Sequence, residues 1–83
     1  LQGAVRANAS DSQAWAALGV ALCQLKRPED GVRALEKAIA LAPGQASFHY
    51  NLGRAHELLG KAPEALHAYR RASELDPKHQ QSS

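Results

Sequence analysis

Four histidines, one cysteine and a short run of basic residues are the side chains of this 83-residue chain whose types could do chemistry. His49 and His56 stand seven residues apart, so on a helix they share a face yet lie two turns, about 10 Å, from one another. That is too far to hold one metal ion, and helical zinc pairs are usually set three or four apart. Imidazoles standing in for aromatic packing residues account for the pair, and His67 and His79 complete the set. Cys23 beside a histidine across an interhelix groove could form a nucleophile pair, but no third, orienting residue and no oxyanion device accompanies it. A single cysteine closes no intrachain disulfide and makes no Cys-based zinc finger. Arg70, Arg71, Lys78 and His79 form the basic cluster, without the interleaved aromatics that would stack bases. These residues therefore predict a protein that is not an enzyme, with no cofactor, no metal and no nucleic-acid partner.

The elements that carry these side chains follow from composition. Alanine supplies 17 of the apolar residues, leucine 11, while Val and Ile total four and Thr is absent. A chain this poor in β-branched residues and this rich in Ala and Leu favours helices over sheets. Only 19 residues are bulky aliphatics or aromatics, and a domain of this size removes only about 60 % of its unfolded surface from water, so stability is marginal without a neighbour. Lys and Arg exceed Asp and Glu by ten to eight, for a net charge of +2 that is scattered rather than blocked. No apolar run approaches the roughly 18 to 20 residues of a membrane span, and residues 1–6 lack the layout of a signal peptide. This predicts a cytoplasmic chain with no membrane partner. The chain begins without Met, as an excised piece of a longer protein would.

Sliding the sequence by 34 residues lays Leu18 on Leu52, Gly19 on Gly53, Ala21 on Ala55, Leu25 on Leu59, Ala34 on Ala68, Ala38 on Ala72, Leu41 on Leu75 and Pro43 on Pro77, with no gap. The repeat runs over residues 12–45 and 46–79, and each unit reads as two helices. In the first, Ser10, Asp11 and Gln13 offer N-capping oxygens, and Trp15, Leu18, Leu22 and Leu25 recur as one apolar stripe. Lys26 and Arg27 close that helix, and Pro28, Glu29 and Asp30 open the next with a preset φ and acidic residues at its positive end. Val32, Leu35, Ala38, Ile39 and Leu41 form its stripe, ended by Pro43 and by a left-handed turn at Gly44. The second unit repeats the order through Phe48, Leu52, Ala55 and Leu59, a Gly60 and Lys61 turn, Pro63 and Glu64, then Leu66, Tyr69, Ala72 and Leu75. Helices are expected near 1–8, 12–26, 29–42, 46–59 and 63–76. Gly19 and Gly53 each cost about 1 kcal/mol in mid-helix relative to Ala, a cost that close helix approach would offset. Gly31 and the small residues Ala21, Ala38, Ala55, Ala65 and Ala72 fit the same role.

A 34-residue unit carrying Trp15, Leu18, Gly19, Leu35, Ala38 and Pro43, then Leu52, Gly53, Ala65, Tyr69, Ala72 and Pro77, resembles the tetratricopeptide repeat (TPR). The chain departs from that pattern at His49, His56, Leu22 and Gly31, and none of these breaks the helical period. On this reading residues 1–9 are the remnant of a preceding second helix, 10–45 the first unit, 46–79 the second and 80–83 a tail. The resemblance implies an all-α fold, a right-handed α-solenoid of antiparallel helix pairs whose first helices line a concave inner face. It also implies a non-enzymatic scaffold that binds a partner protein or peptide in that groove.

The helix period and the family's geometry put Gln13, Ala16, Ala17, Val20, Cys23 and Gln24 of the first unit on the inner face, with Ser47, Tyr50, Asn51, Arg54, Glu57 and Leu58 of the second. Asn51 matches an Asn that in peptide-binding family members hydrogen-bonds the backbone of an extended ligand, since a carboxamide both donates and accepts. Arg54, one turn along, suits a ligand carboxylate, or else bridges Glu57 or Tyr50. The family's carboxylate clamp needs Lys and Asn where this chain has Ala16 and Val20, so no chaperone-tail binding is expected. The expected groove is thus Asn51, Arg54, Tyr50, Ser47, Glu57, Gln13, Val20 and Gln24. The alternative is a structural self-association module, a homo-oligomer joined through the ends of the repeat array, with Leu1 and Val5 at one end and Leu66, Tyr69 and the Ala72 face at the other.

Overall fold

The computed structural model describes residues 9–76, with side chains from residue 11 onward. Four helices follow one another: α1 (Ala9–Gln24), α2 (Pro28–Leu41), α3 (Ala46–Leu58) and α4 (Ala62–Leu75). Among the described residues there is no strand. Three of the five expected helices agree within a residue, whereas α1 begins at Ala9, so Ser10, Asp11 and Gln13 lie inside its first turns rather than capping it. The helix expected near 1–8 lies outside the described residues, as does the 80–83 tail.

The turns explain the register. Pro28 opens α2 and Pro63 lies in the first turn of α4, where the missing N–H costs nothing. Glu29 and Asp30, and Glu64, stand at the positive ends, and Asp30 pairs with Arg27 at 3.7 Å. Lys26 and Arg27 fall beyond α1 instead of in its last turn. Lys26 takes a left-handed φ of 67° and Gly60, its counterpart 34 residues on, one of 77°. Arg27 N–H then reaches Leu22 O at 2.8 Å and Lys61 N–H reaches His56 O at 2.9 Å, so α1 and α3 end in the same way, through a six-residue backbone closure. The left-handed residue expected at Gly44 is absent: α2 ends at Ala42 in an extended conformation, φ −144°, and the chain turns through a bend that needs no glycine.

Helix α1 packs on α2, α3 packs on α4, and the pairs stack through α2 against α3, with α1 also touching α3. Eight of the ten buried apolar residues described are alanine, the others being Leu35 and Phe48. Such a core requires backbones to come close, and the glycines show where. A Cβ built on Gly19 would lie 2.6 Å from Leu35 Cγ and 3.0 Å from the Gly31 carbonyl oxygen, and one on Gly31 would lie 2.7 Å from Cys23 Sγ. On Gly53 it would lie 2.7 Å from Tyr69 Cε1. The expected offset for glycine's low helix propensity is thus found in both helix pairs.

The face of α1 that meets its neighbours carries Ser12, Ala16 and Gly19, all buried, with Cys23 half-buried. The stripe expected there, Trp15, Leu18, Leu22 and Leu25, lies to one side of it. Leu25 is 68 % exposed, and Trp15 and Leu18 are exposed as well. The repeat itself supplies the reason. The counterparts of Trp15, Leu18 and Leu22 are His49, Leu52 and His56, which face a groove shared with the preceding second helix, α2. The stripe on α1 thus holds the repeat positions that on α3 turn toward the helix before it, rather than those that pack on the second helix of the same unit. Ala16, read as an inner-face residue, belongs instead to the core beside Leu35, Ala38, Phe48 and Ala55. At the other end Ala72 is buried and Tyr69 packs inside the α3/α4 pair, so of the three residues expected at that open end Leu66 alone is exposed.

Candidate functional site

Helices α3 and α4 bring Tyr50, Glu57 and Tyr69 into one cluster. Tyr50 and Tyr69 have ring centroids 5.4 Å apart at a 49° tilt, and the Tyr69 hydroxyl donates to Glu57 Oε1 at 2.6 Å. Burial, that hydrogen bond and the charge of Glu57 push the Tyr69 phenol well above its usual range, with Arg54 opposing. Arg54 also acts on Cys23 across the α1/α3 contact, where burial raises the thiol pKa and the guanidinium offsets part of the rise. A thiol held up in this way is a poor nucleophile.

The other expected groove residues are placed as follows. Asn51 is half-buried, and its carboxamide carries no hydrogen bond among the described residues; Arg54 is exposed, and no carboxylate pairs with it among them. Ser47, Gln13 and Gln24 are exposed and Val20 is half-buried. Glu57 is taken by Tyr69 rather than by Arg54, so the bridge between Arg54 and Glu57 is not formed. Tyr69 was missed as a member of this face. Its register partner Leu35 is fully buried, and that equivalence is the signal that could have found it.

Behind α3 lies a second concavity, a groove of about 590 Å³ between α2 and α4, walled by His49, His56 and His67 and floored by Ile39, Leu52 and Ala68. Both imidazoles at aromatic positions are half-buried there, as read, and His49 Nε2 lies 3.3 Å from Pro43 O. No group of three side chains able to hold a metal occurs among the described residues.

The family profile described as tetratricopeptide repeat matches residues 1–46 and 24–79. The chain belongs to the TPR family. Among solved structures, a TPR relative titled MamA MSR-1 C2 superposes with a TM-score of 0.78 at 30 % sequence identity, over 88 % of this chain. The match covers 42 % of that structure's chain, so this sequence spans well under half of its length. No curated protein sequence matches significantly. The all-α solenoid of helix pairs expected from the repeat is the fold of this TPR chain. TPR domains generally serve as protein-interaction scaffolds and generally catalyse no reaction, and that general role holds for the class of this chain. No helix among the described residues is long and apolar enough to cross a membrane.

Proposed function

We propose that this TPR chain is a non-enzymatic scaffold that holds an extended segment of a partner protein along the face shared by α1 and α3. The observation that supports it is the pairing of a half-buried Asn51 carboxamide without a hydrogen bond and an exposed Arg54 without an ion pair among the described residues, side by side on α3. A carboxamide engages a peptide group through both its N–H and its C=O, and the guanidinium takes a carboxylate from the same segment. Tyr50 adds a flat apolar wall, fixed by its contact with Tyr69. Glu57, committed to the Tyr69 hydroxyl, orients that wall instead of contacting the ligand.

Capture of partners by wild type, Asn51→Ala and Arg54→Ala tests the reading, with loss in both variants expected. Undiminished capture by both removes this face as the site. Self-association is the second reading, favoured by Leu58 and Leu66, 61 % and 56 % exposed. It requires a concentration-dependent mass in sedimentation that Leu66→Glu reduces.

A further inference from the structure

The two units differ at one place where the repeat supplies its own template. In the first unit the Lys37 ammonium sits over the Trp15 ring, 5.9 Å from its centroid, a cation–π contact. Thirty-four residues on, the same two positions hold Arg71 and His49. Both line the groove behind α3, and the indole that would fill the space beneath the cation is missing. Arg71 turns instead to Glu74, an exposed contact at 3.2 Å of the kind that contributes little and is readily given up. The groove floor under it is apolar, through Ile39 and Leu52, and its rim carries Glu36 and Glu64. The wall also holds His56 Nδ1, a buried nitrogen without a hydrogen bond among the described residues.

We propose that this back groove docks a tryptophan side chain of a partner segment in which lysines flank the tryptophan, independently of the α1/α3 face. The ring enters where the first unit keeps its own Trp15, lies on Ile39 and Leu52, and receives Arg71 over its face as Trp15 receives Lys37. The flanking cations meet Glu36 and Glu64, while Arg71 of the same lining is taken up by the ring. A purely aliphatic segment leaves the guanidinium without a ring beneath it, and an acidic one, although it could pair with Arg71, meets the carboxylates of Glu36 and Glu64 with like charge.

The test is a heteronuclear NMR titration of the isotopically labelled chain with the peptide Ala-Lys-Trp-Lys-Ala and its counterpart Ala-Lys-Ala-Lys-Ala. The tryptophan peptide shifts the amides of Ile39, Leu52 and Arg71 and binds at least ~10-fold more tightly than the alanine peptide, the order expected for burying one ring under a cation. His49→Trp fills the groove from within and abolishes those shifts while circular dichroism stays that of wild type. Glu36→Gln with Glu64→Gln weakens binding several-fold, and Asn51→Ala and Arg54→Ala leave it unchanged. Equal binding of the two peptides, no binding of either, or wild-type binding by His49→Trp overturns the proposal. So does loss of binding in Arg54→Ala, which would put the peptide on the other face.

Discussion

The Tyr69 hydroxyl on α4 donates a 2.6 Å hydrogen bond to Glu57 Oε1 on α3, and this ties the second helix of the last unit to the inner face that its first helix presents. The phenol is held well above its usual range, by burial first and by Glu57 next. A group whose folded pKa is raised contributes stability that is complete below its unfolded pKa, about 10 for tyrosine. That contribution is lost as pH rises through the folded value. Denaturant midpoints should therefore fall above about pH 10 in wild type and fall less steeply in Tyr69→Phe. Parallel curves for the two proteins would contradict this account of the pair.

Gly19 and Gly53 should not tolerate alanine even though alanine is the better helix former. The added methyl meets Leu35 Cγ and the Gly31 carbonyl in the first case and the Tyr69 ring in the second. Overpacking costs about 1–3 kcal/mol, which exceeds the roughly 1 kcal/mol gained in propensity. The clash at Gly19 includes backbone, which cannot rotate away, so Gly19→Ala is expected to cost more than Gly53→Ala. Gly44→Ala, with open space around it and no left-handed φ, is the control and should be neutral or slightly stabilising in equilibrium unfolding.

Lys26 carries a Cβ in a conformation that its counterpart Gly60 adopts without one. Lys26→Gly should raise stability by about 1 kcal/mol, the left-handed penalty less the extra freedom glycine brings to the unfolded chain. Thermal denaturation reads it directly, and Gly60→Lys should show a loss of similar size.

Cys23 reports on the α1/α3 contact. Burial holds its thiol up and Arg54 favours its thiolate, so iodoacetamide should alkylate it more slowly in the folded chain than in denaturant. Arg54→Ala should slow the folded reaction further. Alkylation of that variant at the wild-type rate would mean that the guanidinium does not reach Cys23 in solution.

Much of this molecule is legible from residue order because helix formation is local. Alanine and leucine content, prolines at the two second-helix starts and the 34-residue identities determine four helices and their pairing, since short turns leave consecutive helices no choice but to lie side by side. The glycines at 19, 31 and 53 announce close approach, because nothing else compensates for their helix cost. Which stripe of α1 is buried was decided by the tertiary structure. Trp15, Leu18, Leu22 and Leu25 repeat with a helical period as well as Ser12, Ala16, Gly19 and Cys23 do, and periodicity alone favours the larger residues. The small stripe wins against α2 because the crossing at Gly19 and Gly31 brings the backbones too close for a leucine between them.

The same limit applies to the site. Asn51, Arg54 and Tyr50 could be placed on one face from their spacing within a single helix, a fact of local geometry. That Glu57 belongs to Tyr69, and that His49 and Arg71 frame a groove, depends on how α2, α3 and α4 stack. Those contacts join residues from different helices, and side-chain order within one helix carries no record of its neighbour's angle or distance.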